Sequence, residues 1–230
     1  LIGCEFANDL VSIGYEVEVV ELFDYALGQL APREVGEAIS EALAQRGVRW
    51  HFGSGCKRIT RDGDVLELEL DNGRTIRVDV VLSAVGLRPR TTLAKNAGLV
   101  TDRGIVVDRF LRTSDASIYA LGDCKQLEGL VLPFVMPIMH AARALAKTLS
   151  GEATQLRYPA MPVVVKTPAH PTVVSSPGPG MSGEWQVESG PDGVRALYLN
   201  ANGATLGFVL SGKHTVEKAA LSKELPAVLE

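Results

Sequence analysis

Thr113-Ser114-Asp115-Ala116-Ser117-Ile118-Tyr119-Ala120-Leu121-Gly122-Asp123 is the stretch from which the rest of the chain can be read. Ser117 to Leu121 has the composition of a short strand, and the strand stops at a Gly-Asp pair. A glycine at the end of a strand lets a backbone approach a phosphate closely. A carboxylate fixed beside it can accept a hydrogen bond from a sugar-like hydroxyl. Alone, a Gly-Asp pair is more often a turn, so the setting has to carry the reading. Soon afterwards Pro137 opens a helix with Ile138, Ala141, Ala142, Leu145 and Leu149 on its apolar side and Gly151 past its end.

Upstream lies an alternating α/β pattern. Phe6, Ala7, Leu10 and Ile13 have helical spacing and Gly14 follows as a stop. Val17 to Val20 reads as a strand, Pro32 to Arg46 as an amphipathic helix ending at Gly47, and Val48 to Phe52 as a further parallel strand. From Cys56 to Val78 the pattern becomes a β-meander with turns at Asp62-Gly63 and Asp71-Asn72-Gly73. Asp79 to Val85 is nearly all apolar, the signature of a strand covered on both faces, and Gly86-Leu87-Arg88-Pro89-Arg90 follows it. Gly104 to Val107 reads as another short strand.

Beyond about residue 152 five strand-like runs appear among prolines and glycines: Val163–Val165, Thr172–Val174, Trp185–Val187, Ala196–Leu199 and Thr205–Leu210. They predict a separate antiparallel sheet closed by a helix from His214 to Lys223. The fold class expected is therefore α/β: an incomplete Rossmann-like domain with an inserted meander over 1–87, part of a second nucleotide domain over 88–152, and an α+β antiparallel-sheet domain over 153–230.

Composition bounds the function. Of 230 residues, 46% are hydrophobic and 22% charged, and no apolar run approaches the ~18 residues that span a bilayer. The net charge of −4, with basic residues scattered, argues against nucleic acid. Cys4, Cys56 and Cys124 are far apart and form no CxxC, which supports neither a disulfide framework nor a zinc site and fits a cytoplasmic protein. The opening Leu1 to Ala7 has no features of a leader and looks like a cut.

The Thr113–Asp123 stretch resembles the second FAD fingerprint of the pyridine nucleotide-disulfide oxidoreductase superfamily. The resemblance assigns Gly122 to the flavin phosphate and Asp123 to a ribityl hydroxyl, and it aims the helix at Pro137 at the pyrimidine edge of the flavin. Other segments match in order: Gly3 to Glu5, the meander, Ser83 to Pro89 near the nicotinamide nucleotide, and Gly104 to Asp108. Gly3 takes the place of the third glycine of a dinucleotide fingerprint, or is a simple packing glycine. Glu21, eighteen residues on, stands where an acid binds the adenosine ribose of NADH and repels a 2′-phosphate, or is a solvated loop residue. Val85 and Gly86 fall beside the nicotinamide nucleotide. Glu5 takes a positioning role near the nicotinamide, the alternative being a first-turn acid on the helix dipole.

Within the superfamily, Val135-Met136-Pro137-Ile138-Met139 and Val163 to Ala169 look like the rubredoxin reductases of alkane-degrading systems. That likeness places Val135 and Met136 at the cofactor and brings Lys166 toward the flavin, where an ammonium can temper charge; the alternative is a surface lysine. The cofactors implied are FAD and NAD, with electrons passing from NADH through flavin to rubredoxin or a similar small acidic electron carrier, which Arg143, Lys147, Arg157 and Lys166 can attract. The likeness also implies that an amino-terminal FAD region of over about a hundred residues and the first strand of the NAD domain are absent from this chain. Competing readings are a ferredoxin or other acceptor reductase, a thiol or peroxide reductase, for which Cys124 is poorly set, and a non-enzymatic nucleotide-binding fragment.

Overall fold

Helix α1 (Ile2–Ser12) buries Cys4, Ala7 and Asn8 along one stripe. Gly14, at φ +94°, turns the chain out of it, while the N–H groups of Gly14 and Tyr15 donate to the carbonyls of Val11 and Leu10 at 3.2 and 3.1 Å. These two bonds satisfy carbonyls that the helix end leaves open. This computed structural model describes residues 1–230.

Strands β1 (Glu18–Val20) and β2 (Arg49–His51) pair in parallel, with Glu18 opposite Arg49 and Val20 opposite His51. Helix α2 (Arg33–Ala44) connects them, burying Val35, Ile39 and Leu43 at four-residue intervals. The spacing of those three residues is the helical period that the sequence displays, and Pro32 stands at the N-cap where its missing N–H costs nothing. The meander follows as expected: β3 (Cys56–Asp62), β4 (Val65–Leu70) and β5 (Thr75–Val78) form an antiparallel sheet in that order. Leu68, Leu70 and Ile76 make its small core, whereas β3 is exposed along its whole length.

The expected strand over Asp79 to Val85 does not form. The segment is irregular, with Val80 79% and Val85 93% exposed. A strand requires a neighbour to receive its backbone hydrogen bonds, and no strand of this chain lies beside it. Hydrophobicity specified a buried strand without supplying its partner.

Short helix α3 (Thr92–Asn96), not foreseen, precedes β6 (Ile105–Val107). The strand paired in parallel with β6 is β7 (Lys125–Leu127), which lies after the Gly-Asp pair rather than before it. Ser117 to Leu121 makes only a one-residue bridge, Tyr119 to Arg112. Local bonds take up its backbone instead: Thr113 N–H donates to Ile118 O and Ala120 N–H to Leu111 O. Helix α4 (Val135–Leu149) begins two residues before Pro137, so the proline occupies the first turn, where it is tolerated. Tyr158, Leu111, Leu127, Ala141 and Leu156 form the core between these elements.

The carboxyl-terminal sheet has the order β10-β11-β12-β9-β8, antiparallel throughout, made by β8 (Val163–Val165), β9 (Thr172–Ser175), β10 (Glu184–Gly190), β11 (Gly193–Leu199) and β12 (Thr205–Ser211). Central strand β12 is covered on both faces: Val209 joins the cluster of Val35, Ile39 and Leu43 from α2, and Phe208 and Leu210 pack with Leu221. The closing helix expected over 214–223 starts as a 3-10 turn, Gly212–Glu217, and becomes α5 (Lys218–Glu224) only afterwards. Contacts divide the chain into two compact units, Leu1–Val85 with Pro162–Leu225, and Gly86–Met161 with Pro226–Glu230. No helix is long and apolar enough to cross a membrane.

Candidate functional site

In the second unit the turn between Leu121 and β7 presents Gly122 and Asp123. Gly122 has φ +90°, a backbone conformation that side chains resist, and a Cβ there would meet nothing within 4 Å. The glycine is thus required by conformation, and the space over it is open. Asp123 is exposed and its carboxylate makes no hydrogen bond or ion pair within the protein. It lines a cleft of about 270 Å³ together with Leu87, Arg88, Pro89, Arg90, Cys124 and Pro133.

Pro133 leads directly into α4, so the cleft that holds the free carboxylate also borders the start of a fifteen-residue helix. The N-cap, Phe134, provides no side-chain bond to the first turn, and Val135 and Met136 are 69% and 44% exposed. Unbonded N–H groups and the helix dipole favour negative charge at this end. An acceptor for a hydroxyl, an open glycine and a positive helix end suit the sugar-alcohol arm and flavin end of FAD, on the residues present. The spacing G-x-G-x-x-G occurs only at Gly178, Gly180 and Gly183, which precede strand β10 and not a helix, so it cannot cradle a pyrophosphate.

Lys125, the first residue of β7, was not singled out from sequence, because Lys-Gln-Leu reads as a polar loop. It is 2% exposed, and its Nζ lies 5.2 Å from the centroid of the Tyr158 ring. Burial pushes its pKa down. The neighbouring Cys124 is free and half-buried, with Sγ 3.5 Å from Leu121 O.

In the first unit, Gly3 and Glu5 occupy the first turn of α1. A Cβ on Gly3 would stand 3.6 Å from the Ala84 Cβ, an ordinary contact, so this structure does not demand a glycine there. Glu5 Oε1 accepts the backbone N–H of Lys166 at 2.9 Å. One turn further on, buried Asn8 accepts the N–H of Ala169 through Oδ1 at 3.1 Å. Two side chains of α1 therefore hold the loop after β8, a pairing not anticipated. The Lys166 side chain is exposed beside a shallow groove shared with Asp9, Thr167 and Pro168.

Glu21 follows β1; its N–H donates to His51 O and its carboxylate accepts from Phe23 N–H at 3.2 Å. Just before it, Glu18 accepts Arg49 Nη2 at 2.8 Å and pairs with His51 Nε2 at 2.7 Å. Burial would raise the Glu18 pKa, but the bonds from Arg49 and His51 outweigh it and hold the carboxyl below its usual range. Val85 is exposed, and Gly86 has φ +97° with open space around it. No group of three His, Cys, Asp or Glu residues is placed to hold a metal ion.

Comparison with known families gives two matches. Residues 1–148 match the family described as pyridine nucleotide-disulphide oxidoreductase, and residues 155–225 match the rubredoxin binding C-terminal domain. The rubredoxin-NAD(+) reductase of Alcanivorax borkumensis is 50% identical over 230 residues, covering 100% of this chain and 60% of that protein. The rubredoxin-NAD(+) reductase of Acinetobacter baylyi is 42% identical over 232 residues, covering 100% and 59%. Among solved structures, a ferredoxin reductase from Rhodopseudomonas palustris superposes with a TM-score of 0.83 at 27% identity, covering 99% of this chain and 58% of that one. The chain thus spans about 60% of the length of the curated relatives it matches.

Proposed function

Since the chain belongs to the pyridine nucleotide-disulphide oxidoreductase family, we propose that the whole protein passes electrons from NADH through bound FAD to rubredoxin or a similar small acidic carrier. The observation that carries this reading is the unpartnered Asp123 carboxylate after the open Gly122, on a cleft bordering the start of α4. The rubredoxin binding domain matched over 155–225 supports the choice of acceptor. A ferredoxin-type acceptor is the second reading, favoured by the likeness to the Rhodopseudomonas palustris structure.

FAD, when bound, would supply the redox chemistry, namely acceptance of hydride from NADH and single-electron donation to an iron centre. The residues of this chain do the rest by holding and orienting. Asp123 accepts a ribityl hydroxyl and Gly122 admits the phosphate; the first turn of α4, at Val135 and Met136, directs N–H groups toward the negative charge gained on reduction. On the nicotinamide side, Gly3, Val85 and Gly86 accommodate the nucleotide, Glu5 positions its ring, and Glu21 accepts the ribose hydroxyls, favouring NADH over NADPH. Lys166 tempers charge at the flavin. In the whole protein the chain divides functionally at 1–87, 88–152 and 153–230. Three free cysteines support a reducing cytoplasm, and the likeness of residues 135–139 and 163–169 to alkane-system reductases supports a role in alkane degradation.

The test is spectroscopic and kinetic. The full-length protein should purify yellow, bind FAD, and oxidise NADH faster with rubredoxin than with ferredoxin as acceptor. A folded full-length protein that takes up no FAD removes the proposal, and a preference for ferredoxin replaces the acceptor.

A further inference from the structure

Lys125 is a charge placed where folding alone does not want one. Its whole strand is buried, it pairs in register with Ile105, and its side chain is 2% exposed. No carboxylate bridges it: none of the ion pairs of the structure contains Lys125, and its side chain makes no hydrogen bond. The Tyr158 ring, itself wholly buried, is the group it rests on. That ring provides a cation–π contact but no counter-charge, since burial pushes the phenol up to about 12 and keeps it neutral. An ammonium held this way opposes stability, because a buried charge is repaid only by close opposite charge and full hydrogen bonding.

The geometry ties this cation to the proposed cofactor site by two routes. Its backbone N–H reaches Gly122 O at 3.3 Å, which closes the turn that displays Asp123. Its platform, Tyr158, donates its hydroxyl to Pro137 O in the first turn of α4 at 3.5 Å. The two residues that precede it in the chain, Asp123 and Cys124, both line the cleft.

We propose that Lys125 is a positioning residue whose fixed buried charge favours the reduced state of the flavin held at Asp123 and the start of α4. The inference rests on the FAD reading above. Hydride transfer from NADH gives NAD⁺ and delivers two electrons and one proton, so the acceptor gains one net negative charge. A cation that cannot move away, in a region of low dielectric, stabilises that product relative to the oxidised form.

The experiment uses full-length protein loaded with FAD. In K125M the ratio of reduced to oxidised flavin at a fixed NADH:NAD⁺ ratio should fall about tenfold, the size expected for losing one nearby charge at an effective dielectric typical of proteins. K125R should restore it, and the cofactor-free K125M protein should melt at the same temperature as the parent or higher. An unchanged flavin ratio in K125M overturns the inference while leaving the FAD reading intact. A wild-type protein that binds no FAD withdraws both. Should K125M fail to fold, K125Q, neutral and able to hydrogen-bond, is titrated in its place and read by the same criterion.

Discussion

At Gly122 the backbone itself selects the residue. Its φ of +90° is strained for any L side chain, so G122A should cost about 1–3 kcal/mol of local strain and place a methyl group in the open space over the turn, where the proposed flavin phosphate would approach. We expect the variant to retain markedly less FAD per protein, read from the flavin absorbance, with a lowered unfolding midpoint. Undiminished flavin content would dissociate the glycine from cofactor binding. That Gly122 reverses the chain beside an exposed Asp123 was legible from sequence because the eleven-residue setting, not the pair alone, places a glycine and a carboxylate at the end of an apolar run. Lys125 was not, because a lysine in a polar triplet gives no sign of burial; only β7 pairing with β6 turns it inward. The capture of the Lys166 and Ala169 amides by Glu5 and Asn8 was equally hidden, since no local rule brings residues 161 positions apart together.

Among the elements, the β1–β2 pair depends on one ionised side chain. Glu18, 19% exposed, bonds to Arg49 and His51 across the ladder, and its folded pKa lies below the ordinary value of 4.5. A carboxylate depressed in the folded state adds stability that is present above that value and is lost as pH falls through the folded pKa. Urea midpoints followed against pH should therefore decline more steeply below about 4.5 in the parent than in E18Q, while E18Q should be the less stable protein at neutral pH. Parallel acid limbs would mean that the pair carries no net energy. The long helices α1, α2 and α4 and the five-stranded antiparallel sheet were legible because their periods of 3.6 and 2 need only local reading. Asp79 to Val85 and Ser117 to Leu121 failed for one shared reason: a strand is a statement about two segments, and apolar composition describes only one of them. β7 was missed on the same ground, its three buried residues being polar in two of three cases.

For the whole molecule, the proposed acceptor is a small acidic protein, and this chain carries a net charge of −4. Within these 230 residues, attraction for such a carrier comes from local positive charge rather than from the net charge. Arg143, Lys147, Arg157 and Lys166 are exposed, with Lys147 also within 3.4 Å of Glu152. Screening over ~8 Å at physiological ionic strength should slow electron delivery to the carrier as salt is added, measured as the second-order rate of carrier reduction. A rate indifferent to salt would discard steering by these residues. The α/β class, the meander and the antiparallel sheet could be read in advance. The grouping of Leu1–Val85 with Pro162–Leu225 could not, because it is decided by packing of α1 and α2 on strands far away in sequence.

The grip of α1 on residues 166–169 also has a bearing on synthesis. At about 5–20 residues per second, a ribosome needs roughly 8–30 s to deliver Lys166 after Glu5 across the separation of 161 positions. Throughout that interval Glu5 Oε1 and Asn8 Oδ1 lack the backbone N–H groups that they accept in the folded chain. The docking of α1 is thus completed only once the loop after β8 has been translated.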